Sequence, residues 1–168
     1  MKGNYTQIIK LERIQNRTWF IQYLAHSQEF EKRLKKNTEK HLYHGCPEQA
    51  ANSIIDTYFN RSFGGVNGEF CLFVEVSVSC ECILFSGIVY GIGVYFSSNA
   101  AYSHHYAVSN ANGERCMFLA RVLVGETTLG HKSMKAPPKG FDSTTDRNHI
   151  FVTYHDAQAY PEYLITYR

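Results

Sequence analysis

The sequence predicts an α+β domain with a largely antiparallel sheet, and three observations lead to that class. The two longer helix-like segments fall early, within residues 16–59, whereas strand-like segments follow mainly in the second half of the chain. The 168 residues can bury one hydrophobic core but not two. Hydrophobic residues make up 44% and charged residues 19%, which is typical of a folded globular protein and not of a disordered one. We therefore expect one domain over residues 1–168.

Extended and helical segments alternate in the first part of the chain. Residues 5–14 fit an extended or edge strand, and residues 16 to about 36 carry apolar side chains at three- and four-residue spacing with charges opposite. Residues 41–46 fit a short strand. The proline and glutamate that follow it favour a helix start, and an apolar stripe continues that second helix to about Phe59.

Residues 89–106 (V-Y-G-I-G-V-Y-F-S-S-N-A-A-Y-S-H-H-Y) change character halfway. The apolar, glycine-punctuated first half predicts a buried strand, and the second half predicts a helix that presents aromatic rings and hydroxyls to a small pocket. Cys116–Val124 fits another buried strand, and residues 125–148 are loop-like. Residues 149–154 and 161–167 complete the set of predicted strands.

Composition excludes several kinds of protein. The net charge of +2 without a basic block does not indicate nucleic-acid binding. Met1–Tyr5 has no secretory apolar core, and the apolar run Cys82–Phe96 is too short to span a bilayer. Five cysteines without a CxxC pattern indicate free thiols, and they form no recognisable zinc motif with the histidines. We expect an intracellular protein of the nucleus or cytoplasm, without a metal site or a membrane partner.

Several spaced motifs carry the chemistry: K-L-E-R-I-Q-N (10–16), L-Y-H-G (42–45), F-N-R-S (59–62), Y-G-I-G-V-Y-F (90–96), A-Y-S-x-x-Y (101–106), R-V-L-V-G (121–125), I-F-V (150–152) and Q-A-Y-P-E-Y-L-I-T-Y (158–167). In this order they resemble the catalytic domain of the poly(ADP-ribose) polymerase family, the diphtheria-toxin-like ADP-ribosyltransferases, and most closely its macrodomain-associated, mono-ADP-ribosylating branch. The resemblance implies a mostly antiparallel, split β-sheet with flanking helices, NAD as co-substrate and protein side chains as acceptors.

The resemblance also assigns roles to single residues. The backbone N–H and C=O of Gly45 and the hydroxyl of Ser103 would hold the nicotinamide carboxamide, and Tyr106 would stack on the nicotinamide ring. His44 and Tyr95 would be the first two members of the family's His-Tyr-Glu triad. In that role the His44 ring would hydrogen-bond a hydroxyl of the adenosine ribose. Such groups would orient the ribose and grip the leaving group as the glycosidic bond breaks.

The third triad position falls on Leu164, whereas the nearest acid, Glu162, lies two residues earlier on the same strand face, roughly 7 Å away. A leucine cannot hydrogen-bond the nicotinamide ribose or polarise an incoming hydroxyl. The sequence therefore predicts transfer of a single ADP-ribose, with an acidic target side chain supplying the missing carboxylate.

Three features depart from the family pattern. Ile92 replaces the usual lysine between the two glycines, and Cys46 replaces the usual serine or threonine after His-Gly. Residues 69–87 are an insertion in the loop that normally lines the donor site. The insertion is either a long lid over NAD or translated intron, and its abrupt composition without basic residues favours translated intron.

Two classes of function remain open at this point. The first is an NAD-dependent mono-ADP-ribosyltransferase, which is favoured because His44, Tyr95, Ser103 and Tyr106 are all present. The second is a catalytically inactive module that binds ADP-ribose, NAD or a protein partner on the same fold.

Overall fold

The computed structural model describes residues 7–60 and 89–168. Within these residues the elements are, in chain order, β1 (Ile8–Arg13), α1 (Arg17–Leu34), β2 (Glu39–Cys46), α2 (Glu48–Thr57), β3 (Val94–Ser97), α3 (Ala100–His104), β4 (Arg115–Leu123), β5 (Thr127–Leu129), β6 (Ser143–Thr145), β7 (Ile150–Thr153) and β8 (Ala159–Tyr167). The strands form one sheet in the order β1-β8-β4-β2-β3-β7-β6-β5. Among these neighbours only β5 and β6 run parallel, so the predicted α+β class with a mostly antiparallel sheet is confirmed.

Helix α1 begins where the sequence predicts. The Asn16 side chain accepts a hydrogen bond from the backbone N–H of Trp19 at 3.2 Å, which satisfies one of the free donors of the first turn. The helix ends at Lys35, whose φ of 56° is left-handed. Its inner face buries Tyr23 and Phe30 in a cluster that includes β4 and β8 side chains. The helix therefore supports the sheet and lies outside the candidate site.

The two faces of the sheet have different covers. One face carries Leu42, Phe96, Phe118 and Leu164, which form a core with the alanines of α2. The opposite face packs against the α3 region, where Met117 belongs to a smaller cluster of buried residues. Strand alternation explains the division, because successive side chains point to opposite faces.

Residues 125–148 differ from the prediction, because the structure contains β5 and β6 in this loop-like stretch. Each strand has only three residues, and most of these are threonine or serine, so neither carries an apolar pattern. Asp142 fixes the approach to β6, since its carboxylate accepts a hydrogen bond from the N–H of Glu126 at 2.8 Å. No helix within residues 7–60 and 89–168 is long and apolar enough to cross a membrane.

Candidate active site

Strands β2 and β3 separate beside the predicted catalytic residues. Within these two strands, Tyr43 opposite Ser97 is the pairing that joins them. One residue further along β2, the His44 ring bonds to β3, because its Nδ1 lies 2.8 Å from the carbonyl oxygen of Tyr95. A side chain thus connects the strands where the backbone ladder stops, which agrees with the predicted split in the sheet.

This hydrogen bond defines the chemistry of the His44 ring. A carbonyl oxygen can only accept, so Nδ1 carries the hydrogen, and Nε2 of the neutral ring is an acceptor. Burial lowers the pKa of His44, and the hydrogen bond to Tyr95 opposes this effect only in part. The ring packs against Phe59 and Phe96, with centroids 5.3 and 5.6 Å away. A neutral, fixed imidazole with an acceptor nitrogen is suited to receive a hydrogen bond from a hydroxyl.

Gly45 lies directly against the backbone of α3. A β-carbon at this position would clash with the carbonyl oxygen of Ser103 and lie 3.3 Å from the backbone nitrogen of Ala107. The Ser103 hydroxyl in turn donates to the carbonyl oxygen of Tyr43 at 3.2 Å, and Ser103 is buried. Glycine is therefore required here for close packing of α3 on β2, and this packing brings Gly45 and Ser103 together as predicted.

Tyr95 is held by the turn that precedes its own strand. Its hydroxyl donates to the carbonyl oxygen of Gly91 at 2.8 Å and accepts from the N–H of Tyr90 at 3.0 Å. Gly91 has a φ of +127°, and a β-carbon there would clash with the hydroxyl of Tyr154. Burial raises the pKa of Tyr95, so its hydroxyl stays protonated at neutral pH. The first glycine of Y-G-I-G thus shapes a turn that fixes the Tyr95 ring.

Tyr106 lies beyond the end of α3, not within the helix as the spacing predicted. Its backbone N–H donates to the carbonyl oxygen of Ser103 at 3.1 Å, so the chain turns once more after His104. The side chain is 38% exposed, and its hydroxyl lies 2.9 Å from that of Tyr102. An exposed aromatic face one turn from Ser103 is a surface on which a flat ligand ring can stack.

Leu164 lies on the sheet face that also carries His44. In the strand register it lies opposite Phe118 of β4, which lies opposite His44 of β2, so two strand spacings separate Leu164 from His44. Its buried side chain belongs to the core beneath α2, whereas Tyr95 packs in a different cluster. The assignment of the third triad position to Leu164 stays a prediction.

Tyr95 packs against apolar residues of β7 and its continuation. Ile150 and Val152 are buried in the cluster that Tyr95 and Tyr102 contact. Among residues 7–60 and 89–168, the hydrogen bonds of the His44, Tyr95 and Ser103 side chains go to backbone groups and not to a carboxylate. The absence of a catalytic carboxylate from the whole site stays a prediction.

Cys46 departs from the family pattern in a way that the core explains. The residue is 5% exposed and packs beneath α2 with Ala50 and Cys116 nearby in the same cluster. Burial raises the pKa of its thiol, so Cys46 stays protonated and serves as a packing residue.

The second departure from the family pattern is Ile92, which donates its backbone N–H to the carbonyl oxygen of Met134 at 2.7 Å. Arg61, Ser62 and the insertion 69–87 lie outside the described residues.

Two surface clefts lie apart from these residues. The first is lined by β5, β6 and neighbouring side chains, among them Phe141, Arg147 and Phe151. The second is lined by residues at the start of α1 together with Arg121 and Glu162. Neither cleft includes His44, Gly45, Tyr95, Ser103 or Tyr106. In the described part of the chain no group of three His, Cys, Asp or Glu side chains could hold a metal ion.

The split antiparallel sheet, with His44, Gly45, Tyr95, Ser103 and Tyr106 beside the opening, defines the ADP-ribosyltransferase fold. The poly(ADP-ribose) polymerase catalytic domain matches residues 2–149, and the chain belongs to this family. Members of the family use NAD as co-substrate.

Three relatives place the chain within the family. It is 34% identical to the human protein mono-ADP-ribosyltransferase PARP14 over 98% of the chain, and 34% identical to mouse PARP10, also a protein mono-ADP-ribosyltransferase, over 95%. The mouse protein mono-ADP-ribosyltransferase PARP12 is 33% identical over 94% of the chain. The chain spans 9%, 16% and 21% of the lengths of these three relatives, so it corresponds to one part of each.

Proposed function

We propose that this domain transfers a single ADP-ribose from NAD to a side chain of an acceptor protein and releases nicotinamide. The observation that carries the proposal is the convergence of Gly45, Ser103 and Tyr106 at the point where β2 and β3 separate, with His44 fixed beside them. The similarity to three proteins named as protein mono-ADP-ribosyltransferases supports the same reaction.

The donor chemistry of these residues fits NAD. Ser103 offers a hydroxyl, and Gly45 offers its backbone N–H and C=O; groups of these kinds can hold a carboxamide. Tyr106 offers an exposed ring face. His44 offers an acceptor nitrogen to a ribose hydroxyl. When bound, NAD supplies a glycosidic bond whose leaving group is the neutral nicotinamide. The chain's residues orient that bond and hold the leaving group, and this positioning is the main catalytic contribution we assign to them.

We propose that transfer stops after one unit because no carboxylate of this chain activates a second sugar hydroxyl. Two observations on residues 7–60 and 89–168 support this: the neighbours of Tyr95 on β7 are apolar, and burial and the Tyr95 carbonyl are the influences on the pKa of His44. An acidic side chain of the acceptor protein would supply the carboxylate itself. We propose acidic side chains of intracellular proteins, in the nucleus or cytoplasm, as the acceptor class.

We further propose that residues 1–168 form one catalytic domain interrupted by the insertion 69–87. The continuous eight-stranded sheet, which draws strands from both sides of that insertion, supports the single domain.

The experiment is incubation of the purified chain with NAD labelled in its adenylate half, followed by measurement of protein-bound label and free nicotinamide. We expect both to accumulate with the unmodified chain and to be absent with His44→Ala. The exposed His131, whose side chain bonds to the neighbouring Ser133 and not to the site residues, provides the matched control, and His131→Ala should behave like the unmodified chain. Tight binding of ADP-ribose without label transfer or nicotinamide release would instead identify an inactive binding module.

A further inference from the structure

We propose that Tyr102 and His149 are positioning residues that hold the Tyr106 ring in the orientation needed to stack on nicotinamide. The inference rests on the proposed function, because it assumes that Tyr106 receives the nicotinamide ring. It gives a role to two residues to which the family resemblance assigns none.

Tyr106 needs support from other side chains. It follows the last residue of α3 by two positions, and its side chain is 38% exposed, so little packing restrains the ring. Within residues 7–60 and 89–168 the restraint on its side chain comes from Tyr102: the two hydroxyls are 2.9 Å apart, and the ring centroids are 5.4 Å apart with an interplanar angle of 56°. A tilted pair of this kind holds the second ring at a fixed angle to the first.

Tyr102 is in turn fixed by the β7 side of the site. The edge of its ring meets the His149 imidazole, with centroids 4.7 Å apart and an interplanar angle of 60°. Tyr102 also packs against the buried cluster that includes Ile150. Burial raises the pKa of Tyr102, and the hydrogen bond to Tyr106 adds to this effect, so the Tyr102 hydroxyl keeps its hydrogen at neutral pH.

His149 is anchored on both sides of its ring. Nδ1 lies 3.0 Å from the hydroxyl oxygen of Ser97, a side chain that is 1% exposed and also accepts a hydrogen bond from the N–H of Asn99 at 2.9 Å. Nε2 lies 3.9 Å from a carboxylate oxygen of Asp146. The Ser97 contact is within hydrogen-bond distance, whereas the Nε2–Asp146 contact is longer than a hydrogen bond and is electrostatic.

Asp146 links this anchor to the turn before β7. Its other carboxylate oxygen accepts backbone hydrogen bonds from Asn148, His149 and Ile150 at 2.8, 2.9 and 2.8 Å. Asp146, His149, Tyr102 and Tyr106 therefore form a continuous series of contacts from a rigid turn to the exposed ring. The series starts at the turn between β6 and β7 and ends at Tyr106, whose side chain is exposed.

The position of Tyr106 matters more for binding than for bond cleavage. The nicotinamide ring of NAD is cationic, and a cation is attracted to the face of a tyrosine ring. The positive charge fades as the glycosidic bond breaks, so this attraction is weaker in the transition state than in the bound substrate. Stacking on the ring persists in the transition state, whereas the attraction for the cation fades, so loss of ring order should raise KM for NAD without lowering kcat.

The test uses the hydroxyl pair, because either hydroxyl can be removed while both rings remain. We expect Tyr102→Phe to raise KM for NAD and the Kd of free nicotinamide by about two- to tenfold, the usual worth of one hydrogen bond. Tyr106→Phe removes the same bond, so it should have an effect of the same size. The double variant should then be no worse than either single variant, because only one bond is lost.

For the tyrosine variants, three results would overturn the inference: unchanged nicotinamide affinity in both single variants, additive effects in the double variant, or a fall in kcat as large as the rise in KM.

The histidine variants give a separate test. His149→Ala should reproduce the Tyr102→Phe effect, and His131→Ala should not. Equal effects of the two histidine variants would contradict the inference. Nicotinamide binding needs no turnover, so a chain that binds nicotinamide but transfers nothing overturns the proposed reaction and leaves this test intact. A chain that binds no nicotinamide overturns both.

Discussion

The Nδ1 of His44 lies 2.8 Å from the carbonyl oxygen of Tyr95, and this bond joins β2 to β3 where their ladder stops. The same bond fixes the tautomer of the ring and leaves Nε2 as an acceptor. One interaction thus serves both the architecture and the proposed chemistry of the site.

The first prediction concerns pH. Burial lowers the pKa of His44 from its ordinary value of 6.5, so the ring is neutral at pH 7 and protonates only below 6.5. Protonation converts Nε2 from an acceptor to a donor, so kcat/KM for NAD should be level around neutral pH and fall as the pH drops below 6.5.

The folding stability that His44 contributes should also fall as the pH drops, as kcat/KM does. The unfolded chain takes up the proton near pH 6.5 and the folded chain only at lower pH, so the stability contributed by neutral His44 is present above 6.5 and is lost as the pH falls through the folded pKa. Thermal unfolding at each pH separates this loss from the loss of activity. An activity profile that rises on acidification would contradict the assigned tautomer.

Gly45→Ala should damage the site more than the fold. The added methyl would clash with the carbonyl oxygen of Ser103 and displace α3, so we expect about a hundredfold loss in kcat/KM from misplacement of Ser103 and Tyr106. The free energy of unfolding should fall by about 1–3 kcal/mol, as for other overpacked sites.

Gly113→Ala is the matched control for that variant. Gly113 has a φ of +75° and nothing within 4 Å of an added β-carbon, so alanine there meets backbone strain without a clash. It should cost roughly 1–2 kcal/mol of stability and leave KM and kcat unchanged. Equal activity losses in both variants would show that general destabilisation, not displacement of α3, explains the Gly45 result.

Leu164→Ala tests whether the residue at the third triad position contributes to turnover. The side chain is buried in the core beneath α2, so truncation should lower the free energy of unfolding by about 2–5 kcal/mol. A leucine offers no hydrogen bond to lose, so at a temperature where the variant stays folded, KM and kcat should match those of the unmodified chain. Leu42→Ala, in the same core, is the comparison. A loss of kcat in Leu164→Ala without a matching loss in Leu42→Ala would contradict this expectation.

Glu39 should stabilise the packing of α1 in a pH-dependent way. Its carboxylate accepts hydrogen bonds from Tyr23 at 2.5 Å and from the Arg121 guanidinium at 2.8 Å. Burial alone would raise the pKa of Glu39, but these two partners outweigh it and lower the pKa below 4.5. The stabilisation is therefore present above pH 4.5 and is lost as the pH falls through the folded pKa.

Unfolding of the unmodified chain and of Glu39→Gln across that range measures the effect. The difference in stability between them should shrink on acidification. A constant difference would show that the carboxylate charge contributes nothing. Because α1 lies outside the candidate site, neither NAD binding nor nicotinamide release should change at neutral pH.

The sequence predicts most of the fold because its signals are local. Asn16 caps α1 through a contact three residues away, and the Pro-Glu pair marks the start of α2. Strands β5 and β6 escape prediction because three residues, mostly threonine, carry no periodic pattern, and β6 is held by pairing with β5 and β7.

The site is predicted less completely, for physical reasons. The pairing of His44 with the Tyr95 carbonyl and the anchoring of Tyr102 by His149 depend on contacts 51 and 47 residues apart in sequence. Nothing in local spacing encodes such contacts. The role assigned to Leu164 stays a prediction for the same reason, since alternation reveals which face a side chain takes but not its neighbours across the sheet. The order of several motifs along the chain identified the family, which the spacing within any single motif could not do.

The central claim is transfer of one ADP-ribose per acceptor side chain, and the mass of the intact product tests it most directly. After incubation with NAD, the unmodified chain or an added acceptor protein should gain mass in units of one ADP-ribose. Each modified side chain should carry a single unit, and His44→Ala should give none. A chain of several ADP-ribose units on one side chain, or no gain in mass while nicotinamide binds, would contradict the account.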